Sequence, residues 1–166
     1  MSSSPITANV SSPINTNAAV DQVDVRGPRF AAWVTTVVIA ATLVVSAVGS
    51  AGAAVILGLQ AVVFAIGAWR GPRQHPYGLL FRRLVAPRLG PVTEKEPVPP
   101  LKFAQLVGLV FAVVGVIGFA TGVPLLGLIA TGFALVAAFL NAAFGICLGC
   151  QIYPLVARLR RAPSPI

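Results

Sequence analysis

Cys147 and Cys150 are the only cysteines in the 166-residue chain, spaced Cys-Leu-Gly-Cys. A cysteine thiolate is a nucleophile and a soft metal ligand, and two thiols can pass two electrons by closing a disulfide. Three chemistries follow from the spacing. A redox or sulfur-carrying dithiol must bring its sulfurs together. Positions i and i+3 of an unbroken helix hold Cβ atoms ~5–6 Å apart, whereas a disulfide needs ~3.5–4.5 Å. Gly149, between the two, eases that adjustment. As a metal site, two thiolates suit a soft ion bound linearly, such as Cu(I), and fall short of a structural Zn site. His75, the single histidine, would be a third ligand, and a fourth would require two chains to share the site. As structural residues, the cysteines would pack a helix end as small hydrophobes.

Position bears on the choice. The pair follows a long apolar run that ends near Ile146, so it reads as closing a helix. Redox cysteines favour the opposite end, where the helix dipole stabilises the thiolate. A break at Gly145, or the approach of Arg158, Arg160 and Arg161, would restore reactivity. If the pair is catalytic, Cys150 is expected to be the more exposed attacking thiol and Cys147 the resolving one. In a reducing cytosol they would rest as a dithiol. Asn141 is the only asparagine within the apolar runs. It lies about 9 Å deeper than Cys147 and about 120° around a common helix. That favours a structural hydrogen bond between helices over contact with the sulfur. His75, beside Pro76 and Tyr77, reads as a solvated turn residue.

The elements that must position these residues are apolar. Hydrophobic residues make up 57% of the chain and charged ones 10%, too few to cover a soluble surface. Four runs of membrane-crossing length occur at 30–48, 51–69, 103–121 and 123–146, none with a Lys, Arg, Asp or Glu. A soluble helical core would give each helix a polar face, and these have none. The fold class expected is all-α integral membrane: four transmembrane helices in two hairpins. Residues 26–157 form the membrane domain, preceded by a disordered tail at 1–25 and followed by a basic tail at 158–166.

Charge sets the expected orientation. Of twelve basic residues, two precede the first run, seven lie in the loop at 70–102, and three follow the fourth run. Lys and Arg are retained in the cytoplasm, which puts both termini and the central loop there, in a bacterial inner membrane. The net charge of +8 is then accounted for by topology and anionic lipid headgroups, and nucleic acid is not implied. Trp33, Trp69, Tyr77 and Tyr153 fall at the charged ends, where amphipathic rings anchor. Within the loop, Leu79–Val85 suits a short surface helix ended by Pro87, and 94–100 reads as extended linker. The pairs Gly118/Gly122 and Gly145/Gly149 offer close helix contacts, within one chain or in a homo-oligomer.

Three segments carry a resemblance: Phe139-Leu-Asn-Ala-Ala-Phe-Gly-Ile-Cys-Leu-Gly-Cys-Gln-Ile-Tyr153, His75-Pro-Tyr-Gly-Leu-Leu-Phe-Arg-Arg83 and Val25-Arg-Gly-Pro-Arg-Phe30. Over residues 22–161 the chain resembles a bacterial integral membrane family, domain of unknown function 4395, familiar from actinobacteria. The resemblance implies a small multi-span protein without an assigned activity, encoded beside thioredoxin-like and sulfurtransferase proteins. The expectation from residues and resemblance together is a membrane component of thiol-redox or sulfur metabolism with a cytoplasmic-face dithiol. The alternative is a non-enzymatic adaptor, or a small oligomeric transporter or metal-handling protein. Polar groups for transport are few: Asn141, Gln60, Thr42 and Thr131.

Overall fold

A computed structural model describes residues 21–160. Four helices are long and apolar enough to cross a membrane: α1 (Arg26–Ser46), α2 (Ser50–Arg70), α4 (Val98–Ala120) and α5 (Pro124–Phe144). Between α2 and α4 stands a short helix, α3 (Pro76–Leu80), continued by a wide π turn at Phe81–Val85 and a 3-10 turn at Ala86–Arg88. A two-stranded antiparallel ribbon joins β1 (Gln22–Asp24) to β2 (Lys95–Pro97), with Val23 opposite Glu96. The last element is α6 (Leu148–Arg160).

The apolar runs locate the four long helices, and the ends extend past them. Helix α1 starts four residues before the apolar run, taking Arg26 and Arg29 into its first turn. Helix α4 starts at Val98 because Pro99 and Pro100 fit a first turn, where a missing N–H costs nothing. The linker expected at 94–100 is thus a strand followed by a helix start. The tail expected at 1–25 is corrected in the same way: residues 22–24 form β1, and residues 1–20 lie outside the described residues. The ribbon has a simple cause. Val98 N–H donates to Asp21 C=O at 2.9 Å and Val25 N–H to Glu94 C=O at 3.3 Å, tying the lead-in of α1 to that of α4. Arg26 reinforces it with ion-paired hydrogen bonds to Asp24, the shortest 2.9 Å, which hold the Asp24 carboxyl below the usual carboxylate range.

The long helices close a bundle in which α1 packs on α2 and α5, and α4 packs on α2 and α5. Ile39, Ala53, Leu57 and Ala112 are fully buried at its centre. Two buried threonines satisfy themselves locally: Thr42 donates to Val38 C=O at 2.9 Å and Thr131 to Gly127 C=O at 2.7 Å. One small-residue contact joins Gly118 and Gly127, where a Cβ would collide with backbone, and it lies within one chain. Gly122, expected to share that face, is instead a turn residue with φ +77° and open space around it.

Candidate functional site

The apolar run that suggests one helix through Ile146 contains a break. Helix α5 ends at Phe144, and Gly145 adopts a left-handed conformation (φ 70°) that an L side chain would resist. Its N–H donates to Asn141 C=O at 3.1 Å and the Ile146 N–H to Leu140 C=O at 3.2 Å, closing the helix. Arg29 of α1 lies against Gly145, placing a guanidinium over the negative end of the α5 dipole. A new helix, α6, then begins at Leu148.

Cys147 therefore opens a helix; it does not close one. Its C=O accepts the first bond of α6 from Gln151 N–H at 3.1 Å, and its Sγ accepts the Cys150 N–H at 3.3 Å. That is the N-cap arrangement, with sulfur where a serine or aspartate oxygen would stand. The two cysteines form a disulfide across a Cα separation of 5.2 Å. The pair follows the C-terminus of α5, as expected, and the break at Gly145 puts it at the start of α6. Gly149 contributes a close approach: a Cβ there would stand 2.6 Å from the Ala104 Cα of α4. Helix α6 is held on α4 at this point and by Phe103 against Tyr153, with ring centroids 6.0 Å apart. Its residues Leu148, Ile152, Leu155 and Leu159 form an exposed stripe at helical spacing, and Arg158 stands off it. The basic tail expected from 158 is thus the end of α6 as far as the described residues reach.

Cys147 also lines a cavity of about 300 Å³ that runs from the start of α6 into the bundle among α1, α4 and α5. The walls are mostly small or aromatic, among them Ala134, Ala138, Gly108 and Phe111. Gly108 is required there, since a Cβ would press to 2.9 Å on the Phe64 ring. Three polar side chains face the same space: Thr35, Gln105 and Asn141. Thr35 is 5% exposed. The Gln105 Oε1 is buried without a partner. Asn141 lines the same cavity as Cys147, and no interhelical hydrogen bond of its side chain is found among the described residues.

His75 is not a solvated turn residue. It is 3% exposed, stands at the N-cap position of α3 and sets its ring into a hollow beside Gly67, where a Cβ would stand 2.6 Å from its Cδ2. Burial pushes its pKa down to about 4, so the ring is neutral near pH 7; the Gln105 side chain beside it works against that shift, although no ring nitrogen reaches full hydrogen-bond geometry among the described residues. Tyr77 meets the ring edge-on at 5.2 Å and turns its hydroxyl inward, donating to Gln60 Oε1 at 2.8 Å. His75 and Gln105 face a second cavity of about 390 Å³ behind the ribbon, which adjoins the first at Pro28, Leu101 and Gln105. Sequence reasoning missed Gln105 altogether. The signal was a lone amide, three residues after Lys102, in an otherwise apolar helix.

As a metal site the arrangement is incomplete. Among the described residues, no three of His, Cys, Asp and Glu come together, and His75 does not join Cys147 and Cys150. Trp33 and Trp69 are exposed near the basic ends of their helices.

The chain belongs to the family described as Domain of unknown function (DUF4395), whose model matches residues 23–158. No curated protein and no solved structure matches it.

Proposed function

Within this family of unknown function, we propose a membrane-bound thiol–disulfide exchanger whose working pair is Cys147 and Cys150. One observation carries the reading: the disulfide sits at the N-terminus of α6 with Cys147 Sγ as the cap. When the bridge opens, that sulfur is the one that the helix dipole and the Cys150 N–H stabilise as thiolate. A stabilised thiolate attacks readily in one direction of exchange and departs readily in the other. The roles expected from exposure are thereby exchanged: Cys147 is the thiolate sulfur and Cys150 its partner.

The topology that serves this function has two hairpins with both termini and the central segment in the cytoplasm. It is supported by Arg26, Arg29, Arg70 and Lys102, which lie at one end of the long helices. Helix α6 then lies in the interface, its leucine–isoleucine stripe in lipid and Arg158 at anionic headgroups. The cysteines face soluble thiol proteins there, a thioredoxin-like or sulfurtransferase protein being the partner class. The transporter alternative loses support, because Thr42 and Thr131 spend their hydroxyls on their own helices.

Thiol alkylation with mass shifts on membrane vesicles tests the proposal. Wild type should gain two labels only after reduction and lose them on re-oxidation, whereas Cys147→Ser and Cys150→Ser should each carry one. A membrane-impermeant reagent should label inside-out vesicles and spare right-side-out ones. A pair that stays bridged or stays free under every redox condition would overturn the exchange reading.

A further inference from the structure

Resting on the thiol-exchange reading, we propose that the cavity beside Cys147 binds the ring of a membrane-soluble quinone, which takes the electrons of the dithiol. The argument begins with what the cavity leaves unpaired. Thr35, Gln105 and Asn141 line a space whose other walls are mostly alanine, glycine and phenylalanine, and the buried Gln105 Oε1 has no hydrogen-bond partner among the described residues. An amide left unpaired in hydrocarbon is costly, so the space calls for an occupant with polar atoms. An acyl chain has none.

A quinone ring answers each feature. It is flat and apolar on both faces, and Phe64, Phe111 and Phe133 offer ring surfaces along the cavity. Its oxygens are acceptors when oxidised and become hydroxyl donors when reduced. An amide carries both a donor and an acceptor, so Gln105 and Asn141 can serve either form. About 300 Å³ is enough for a small ring system and lies at the lower end of ligand-site volumes. The cavity extends along α5 from Phe133 to Asn141, roughly 12 Å of helix, a route by which an isoprenoid tail can leave toward lipid.

The electron count closes. A soluble dithiol attacks Cys150 Sγ and releases the Cys147 thiolate into the cavity mouth; its second thiol then frees Cys150, leaving the donor oxidised. The Cys147 thiolate adds to a quinone ring carbon, and that ring takes up a proton. The Cys150 sulfur attacks Cys147 Sγ, forming the disulfide and expelling the ring as hydroquinone anion, which a second proton neutralises. Two electrons and two protons pass from the thiols to the quinone.

The test uses the full chain in lipid nanodiscs, reduced, freed of reductant and mixed with decylubiquinone. Loss of quinone absorbance should match one quinone per protein, with two alkylatable thiols lost together, and Cys147→Ser should abolish both. Gln105→Leu with Asn141→Leu should raise half-saturating quinone about tenfold. A Cys147→Ser, Cys150→Ser double variant, which cannot react, should still bind about one decylubiquinone by equilibrium dialysis. If wild type exchanges with a soluble thioredoxin but neither reduces nor binds the quinone, or if phospholipid alone fills the site undisplaced, the quinone proposal is overturned and the exchange reading stands. If the cysteines exchange with nothing, both fall.

Discussion

The Cys150 N–H donates to Cys147 Sγ at 3.3 Å, so one cysteine of the pair caps the helix that carries the other. The bridge and the cap share an atom. Opening the disulfide leaves a sulfur that already has a donor and a helix dipole aimed at it.

Reduced protein should therefore alkylate faster at Cys147 than at Cys150, with the difference growing as pH falls below the ordinary cysteine range. Peptide mapping after brief iodoacetamide pulses measures it. Cys147→Ser should keep α6 folded, since a hydroxyl caps at least as well. Cys147→Ala should weaken it by about 1 kcal/mol. Equal labelling of both cysteines at every pH would show that the cap does not activate the sulfur.

Gly149 predicts a mechanical dependence. A side chain there meets the Ala104 backbone, which cannot yield as a flexible side chain would. Gly149→Ala should lift α6 from α4 and cost about 1–3 kcal/mol, the usual range for overpacking. Limited proteolysis would register it as new cleavage within α6. Gly58→Ala makes the control, since nothing lies within 4 Å of a Cβ there.

The four long helices were legible because their apolar runs are long and free of charge. A helical stretch in the central loop was legible in outline too, from Leu79-Leu80-Phe81, although it begins at Pro76 and Pro87 lies within a 3-10 turn that continues it. Helix α6 was not. The apolar sequence continues through Gly145 and Ile146, and Pro154 within α6 reads as a breaker, so only the left-handed backbone of Gly145 marks the boundary. The ribbon was hidden because two three-residue strands have no period to detect, and bundle closure brings their partners together. The burial of His75 depends on room made by Gly67, eight residues away on another element. Gln105 became interpretable only once Asn141, Thr35 and Cys147 shared its cavity.

Tyr77 predicts a hydrogen-bond effect. Its hydroxyl is the described partner of Gln60, a side chain 1% exposed whose Nε2 is already unpaired. Tyr77→Phe should leave both ends of that amide unsatisfied and cost about 1–3 kcal/mol. Gln60→Leu should offset much of the loss in the double variant, since removing both partners avoids the orphaned group. Thermal unfolding in detergent of the four proteins completes the cycle, and additive losses would break the proposed coupling.

His75 gives the stability a pH dependence of definite sign. Burial holds its folded-state pKa at about 4, below the 6.5 of an exposed histidine, so the unfolded chain binds the proton more readily. Stability is then complete above pH 6.5 and is lost as pH falls toward 4, by about 2 kcal/mol at pH 5. Glu96 acts in the opposite sense: burial holds its carboxyl above the usual range, so protonation favours the folded state as pH drops. Asp24 is held below the usual carboxylate range by Arg26, so its ion pair is lost below this window. Comparing His75→Gln with wild type isolates the histidine from both. The unfolding temperature of wild type should fall between pH 7 and pH 5 more steeply than that of the variant. Parallel slopes would mean that His75 takes up a proton as easily in the folded protein as in the unfolded chain, and that its hollow is open to water.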